Sequence, residues 1–165
     1  LNIFQSDIPV FEMLQDFTVI DQVQRIEEYK PSVFGLLEIP EINVNQYVVS
    51  GTDDLSLQFG PGYYLGTNLP GSGGNVGIAG HRTTYGAPFS QLDLVEIGDE
   101  ILLTVGSNKY HYKVDEVEIV DAVSGSYVLY NRGDDRITLT TCHPKYSARQ
   151  RLVVSGILHR IESGN

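Results

Sequence analysis

The chain has no tryptophan, one cysteine and one methionine among 165 residues, and only 11 lysines and arginines against 21 aspartates and glutamates. Each shortage excludes something. A single thiol cannot close an internal disulfide, so the fold rests on its core, and cysteine content alone assigns no redox compartment. With a net charge of −10, the protein's field repels phosphate backbones, and no nucleic acid is expected as a partner. No apolar run approaches the roughly 20 residues that a membrane span needs, and no signal-like apolar core follows Leu1. A chain that starts at Leu1 rather than at a methionine is expected to be a mature or partial one, so the missing span is not evidence against an anchor. The cysteine and the histidines also lack paired-ligand spacing, so neither a metal nor another cofactor is expected.

What is present reads as strands and turns. Seventeen glycines, 7 prolines and 10 tyrosines suit short strands separated by tight turns, and the length suits one domain with a real core. Strands are expected over Leu36–Ile39, Ile42–Val49, Asn75–His81, Ile101–Val105, Tyr110–Val120, Ile137–Cys142 and Arg151–His159. Thr52–Leu55 reads as a capped helical turn and Ala87–Leu94 as a short helix. Gly60-Pro61-Gly62 and Pro70–Gly74 read as turns or loops. Lys109–Val114 alternates polar and apolar residues like a half-buried antiparallel strand, which puts His111 in solvent. Such a set implies a mainly β fold closed, or nearly closed, into a barrel. Residues 1–30 differ: Val10, Met13, Leu14, Phe17, Ile20 and Val23 approximate helical spacing over Pro9–Tyr29. They are expected to form an N-terminal helical segment that packs on the domain of residues 31–165 or covers a groove in it.

The lone cysteine ends the run Arg136-Ile137-Thr138-Leu139-Thr140-Thr141-Cys142, and Pro144 stops the strand. Strand phase puts Ile137, Leu139 and Thr141 on one face and Thr138, Thr140 and Cys142 on the other. The thiol therefore sits at a strand end, away from the core-seeking face. A buried structural cysteine is the usual fate of a lone thiol, but the phase argues for a reactive one.

A reactive thiol needs a neighbour that favours thiolate, and histidine is the usual one. His143 follows Cys142 directly and points to the opposite face. His111 and His159 read as solvated surface histidines. His81 ends the strand Asn75–His81, where Gly77 and Ala79 share its face. Those small residues either open a groove or admit a packed neighbour. His81 is thus the best candidate. For a developing oxyanion, Arg151 opens the strand after Cys142 and a short loop returns it beside the thiol; Arg149 is the weaker alternative.

These residues carry a resemblance. Thr138-Leu139-Thr140-Thr141-Cys142 is similar to the Thr-Leu-x-Thr-Cys signature of sortases, the cysteine transpeptidases of Gram-positive cell surfaces. Cys142–Val154 resembles the class E branch, with Arg151 as its essential arginine; His143 also resembles class D. Gly74–Gly86 resembles the family's histidine block, with His81 as the catalytic histidine. Gly60–Tyr64 and Gly98–Ile101 fit further blocks, and the resemblance runs from about Leu36 to Leu158.

The resemblance implies an eight-stranded sortase-type β-barrel with short helices. It implies that Cys142 attacks the Thr–Gly bond of a C-terminal sorting signal, giving a thioester that an amine of a peptidoglycan precursor, or a pilin lysine, resolves. His81 would serve as general acid and base, and Arg151 would steady the oxyanion. The backbone around Thr141 is a further donor candidate. Class E implies Leu-Ala-x-Thr-Gly signals rather than Leu-Pro-x-Thr-Gly, with Tyr85 either contacting the alanine position or packing locally. The family implies action at the outer face of the cell membrane, anchored there in the full-length protein.

Other chemistries fit less well. The Ser-His-Gly-Cys element of L,D-transpeptidases and the Cys-Gly-Ser-Cys-Trp element of papain-like proteases are missing. No Gly-x-Ser-x-Gly elbow occurs. Val76 stands where a dinucleotide loop needs its third glycine. Asp134-Asp135 reads as an exposed turn ahead of a calcium site. A barrel that captures sorting peptides without turning them over is the non-enzymatic reading.

Overall fold

The computed structural model of the chain describes residues 29–164. The helical segment expected over Pro9–Tyr29 therefore lies, but for Tyr29, outside the described residues. In the unit that begins at Pro31, eight strands close a barrel. They are β1 (Val33–Ile39), β2 (Val44–Ser50), β3 (Gly62–Tyr63), β4 (Asn75–Ala79), β5 (Glu100–Val105), β6 (Asn108–Asp121), β7 (Arg136–His143) and β8 (Gln150–Ser163). The order around the barrel is β1-β2-β3-β4-β7-β8-β6-β5. Two pairs are parallel, β2 with β3 and β4 with β7.

Local chemistry sets the corners. Between β1 and β2, Pro40–Ile42 makes a 3-10 turn that Asn43 ends in the left-handed region at φ 54°, a conformation asparagine tolerates. Gly106, at φ 60°, and Ser107 form the two-residue connection that closes the β5–β6 hairpin. The turn expected at Thr52–Leu55 is present: Asp53 accepts the Ser56 N–H at 3.2 Å and its hydroxyl at 2.5 Å, so its carboxyl is held below the usual range. Inside the barrel, Leu37, Ile39, Ile78, Ile101, Leu103, Ile137 and Leu139 are fully buried. Each such side chain contributes about 1.5–3 kcal/mol through the hydrophobic effect.

Three expectations fail locally. The helix over Ala87–Leu94 reduces to a 3-10 turn at Leu92–Leu94. Ala87 sits at φ 43° just before Pro88, and a residue before proline is disfavoured in the helical region. The short β3 falls where Gly60-Pro61-Gly62 reads as a turn, because two residues carry no periodicity. His111 is not a solvated surface histidine; it is only 5% exposed. The alternation itself holds, with Tyr110, Tyr112 and Val114 against the core, but β8 side chains cover the outer face at His111. Its imidazole instead meets the Glu162 carboxylate at 3.1 Å and Arg160 at 3.3 Å. His159 is exposed as expected.

At the start of β7, the buried Arg136 donates to Ser155, Asp134 and Asp115 at 2.7, 2.9 and 3.2 Å. A charge so deeply placed must be paired in this way. Asp135 accepts the Gly73 N–H at 2.6 Å, so both carboxylates of the Asp134-Asp135 pair already hold protein donors.

Candidate active site

β7 is covered on both faces until its last residues. Ile137 and Leu139 enter the main core, with Leu152 and Val154 of β8 beside them. The opposite face carries Thr138 and Thr140, and it is covered too. Thr138 donates to Asn75 at 2.8 Å, and Val153 packs with Val120, Val128 and Leu129 in a second, smaller cluster. That cover ends at Cys142, which is partly exposed. The thiol is therefore off the core, as its strand phase requires, on a face roofed by the β6–β7 connection.

Arg151 stands opposite Cys142 as its direct partner in the β7–β8 ladder. Such partners share a face with Cβ atoms about 4.5–5.5 Å apart. The Arg151 guanidinium donates to the Ala148 and Gln150 carbonyls at 2.8 and 3.0 Å, which fixes it at the head of β8. His81 arrives from the other side. β4 runs parallel to β7 with Ala79 level with Thr140, so both strands reach the same rim, and His81 follows two residues on. The backbone beside it is tied down: Gly80 donates to the Thr140 carbonyl at 3.1 Å and accepts the Thr141 hydroxyl at 2.7 Å. A Cβ on Gly80 would press into the Phe89 ring, so only glycine passes there.

The three residues line one cavity of about 280 Å³, together with Ala79, Thr140 and Thr141. It continues both ways. Tyr64, Thr140 and Arg151 are shared with a cavity of about 210 Å³ walled by Val120, Val128 and Leu129. His81 and Cys142 are shared with one of about 360 Å³ walled by Thr83, Thr84 and Tyr146. The thiol thus sits midway along a continuous groove with one apolar arm.

The remaining expected residues are Thr141 and Tyr85. The Thr141 side chain is spent on Gly80, so it braces the site. Tyr85, at φ 49° and 56% exposed, holds its ring 5.3 Å from that of His81 and lines none of these three cavities. Gly77 admits packed neighbours: a Cβ there would meet Leu129 at 2.9 Å and Tyr64 at 3.0 Å. Ala79, by contrast, borders the groove. The Nε2 atom of His81 is buried without a protein partner. Among the described residues no cluster of His, Cys, Asp or Glu is arranged to hold a metal ion.

Two residues escaped the sequence reading. Tyr64 bonds the Thr140 hydroxyl at 2.7 Å and stands where the central and apolar cavities meet. Arg82 is 4% exposed and donates to the Cys142 carbonyl at 2.9 Å. The sequence signal was only position, inside the Gly60–Tyr64 block and directly after His81.

A closed eight-stranded barrel whose rim gathers a thiol, an imidazole and a guanidinium in one groove is a narrow class of architecture. Residues 37–159 match the sortase domain model, and the chain belongs to the sortase family. It is 32% identical over 127 residues to sortase D of Bacillus subtilis (strain 168), covering 75% of this chain and 63% of that one. Against sortase SrtE1 of Streptomyces coelicolor the identity is 34% over 138 residues, covering 74% of this chain and 39% of that one. The chain therefore spans less than two thirds of the length of either relative. The crystal structure of Streptomyces coelicolor sortase E1, solved with a tripeptide in its active site, matches with a TM-score of 0.75 and 28% identity. It covers 80% of this chain and 91% of that one. Relatives named sortase A match as well, one from Listeria monocytogenes at 32% identity over 154 residues, 92% of this chain and 68% of that one.

Proposed function

We propose that this chain is a cysteine transpeptidase. It cleaves the Thr–Gly bond of a Leu-Ala-x-Thr-Gly or Leu-Pro-x-Thr-Gly sorting signal and joins the threonine to an amine of a peptidoglycan precursor. The observation that carries the reading is the single cavity lined by Cys142, His81 and Arg151. The Cys142 sulfur, as thiolate, adds to the threonine carbonyl carbon. Arg151, across the ladder from the thiol, balances charge on the oxygen. His81, as imidazolium, gives its proton to the departing glycine nitrogen, and the C–N bond breaks to leave a thioester. The incoming amine adds to that thioester and surrenders a proton to His81, and the C–S bond breaks to restore the thiolate–imidazolium pair. Water in place of the amine releases the free acid, the hydrolytic side reaction.

The groove suits an extended peptide. Its arm walled by Val120, Val128 and Leu129 fits the leucine of the signal, and the arm beyond His81 leaves room for the acceptor. Tyr85 is the proposed contact for the alanine or proline position. The backbone at Thr141 is the further proposed donor to the substrate oxygen, while its hydroxyl braces the segment that bears His81. The enzyme would work at the outer face of the cell membrane, anchored there in the full-length protein; among the described residues no helix is long and apolar enough to cross a membrane.

A quenched Leu-Ala-x-Thr-Gly peptide with an amine acceptor tests this, run beside a Leu-Pro-x-Thr-Gly peptide. Turnover lost in Cys142→Ala supports the enzyme. Equal peptide binding without cleavage in the wild type makes the barrel a binding module. Acceleration by a lysine side chain of a pilin, and not by the peptidoglycan amine, makes it a pilin polymerase.

A further inference from the structure

We infer that Arg82 is a positioning residue that sets the distance between the imidazole of His81 and the thiol of Cys142, with Asp93 holding its guanidinium in place. The inference rests on the transpeptidase reading for its kinetic consequence, though not for its geometry. Beyond Ala79 the β4–β7 ladder has ended, and His81 stands past the last regular pairing. What holds it level with the thiol is irregular. Before it, Gly80 is fastened to Thr140 and Thr141. After it, the Arg82 side chain reaches across to the end of β7, where Nη1 donates to the Cys142 carbonyl at 2.9 Å.

The other guanidinium donors are committed to the chain that follows. Nη2 meets the Asp93 carboxylate at 3.1 Å and Nε the Ser90 carbonyl at 3.4 Å. The His81 carbonyl itself accepts the Phe89 N–H at 3.1 Å. Arg82 therefore joins three pieces: the His81 segment, the 88–94 turn and the thiol's own residue. A buried arginine is costly unless every arm is satisfied. Its rigid fork bridges two acceptors at a spacing that the single ammonium of lysine does not reproduce. Loosening the bridge by about 1 Å at the reacting pair lowers turnover on the order of 100-fold, while the peptide's arm of the groove, walled by other residues, is untouched.

Arg82→Gln and Asp93→Ala, each checked for wild-type-like circular dichroism, test this with two readouts. For peptide turnover, Arg82→Gln is expected to lower kcat by about 10- to 100-fold with KM within about twofold, and Arg82→Lys to recover only part of it. For alkylation of Cys142 by iodoacetamide across pH, which needs no peptide, Arg82→Gln is expected to move the profile toward that of His81→Ala. Asp93→Ala should move both readouts the same way, less far. Should Arg82→Gln fail to fold, the half-exposed Asp93 still decides, because its loss leaves the core intact. Unchanged kcat and an unchanged alkylation profile in a folded Arg82→Gln, or in Asp93→Ala if that alone folds, overturn the inference. A wild type that turns over no peptide sinks the transpeptidase reading, whereas the alkylation profiles still judge Arg82.

Discussion

Cys142 and Arg151 face each other as directly paired positions across the β7–β8 ladder, so the chain returns to the thiol without any helper element. The pairing also makes the two residues rigidly coupled, since ladder partners move together. Replacing Arg151 with alanine should lower kcat/KM on the order of 10²- to 10³-fold, the loss expected when one fixed oxyanion donor goes. Arg151→Lys should not restore it, because lysine lacks the planar fork. Peptide cleavage by the two variants checks both statements.

The rate of peptide turnover should be bell-shaped in pH. Only the pairing of thiolate with imidazolium is active, so activity falls at low pH as the thiolate is lost and at high pH as the imidazolium is lost. A rate that stays flat from about pH 5 to about pH 10 would remove His81 and Cys142 as an acid–base pair.

Folding stability should fall in acid through the carboxylates that hold arginines. The Arg136 guanidinium beside Asp134 keeps its carboxyl below the ordinary range, and Arg132 does the same for Glu116. A depressed folded pKa gives stability that is present above the unfolded value, about 3.9–4.3, and is lost as pH falls through the folded one. Asp134→Asn should therefore flatten the acid limb of a denaturation series. Glu118 behaves oppositely: burial and the neighbouring Glu116 raise it. Glu118→Gln should stabilise at pH 7, with the gain vanishing in acid once both forms are neutral.

Tyr112 is fully buried with its hydroxyl unpartnered, and that burial pushes its ionisation upward. Tyr112→Phe removes the desolvated group and keeps the ring. Urea melts should show a variant as stable as the wild type or up to about 1–3 kcal/mol more stable.

Gly77→Ala should destabilise by about 1–3 kcal/mol through overpacking against Leu129 and Tyr64. Turnover should fall as well, since both neighbours wall the apolar arm. A variant with wild-type melting and turnover would show that this wall yields.

The barrel was legible because its strands alternate: Ile137 and Leu139 enter the core and Cys142 leaves it, as side-chain phase requires. His81 stood out for the small residues before it, and Arg151 because a short loop returns it to Cys142. The misses at His111 and Arg82 share a cause, which is that the deciding partner lies far along the chain. His111 reads as solvated because Glu162 and Arg160, which cover it, lie some fifty residues on. Arg82 drew no reading, because its partner is a backbone carbonyl at Cys142, and backbone acceptors leave no mark in a sequence. Tyr64 sits in a stretch read as turns, where the two residues of β3 were too few to show.

β7 and β8 are joined at that rim by residues 144–149, none of which is buried. The stretch between His143 and Gln150 is a natural cassette: exchanging it for that of another sortase should retune which acceptor is taken while the melting temperature barely moves. An edge that buries nothing can change without cost to the scaffold that bears it.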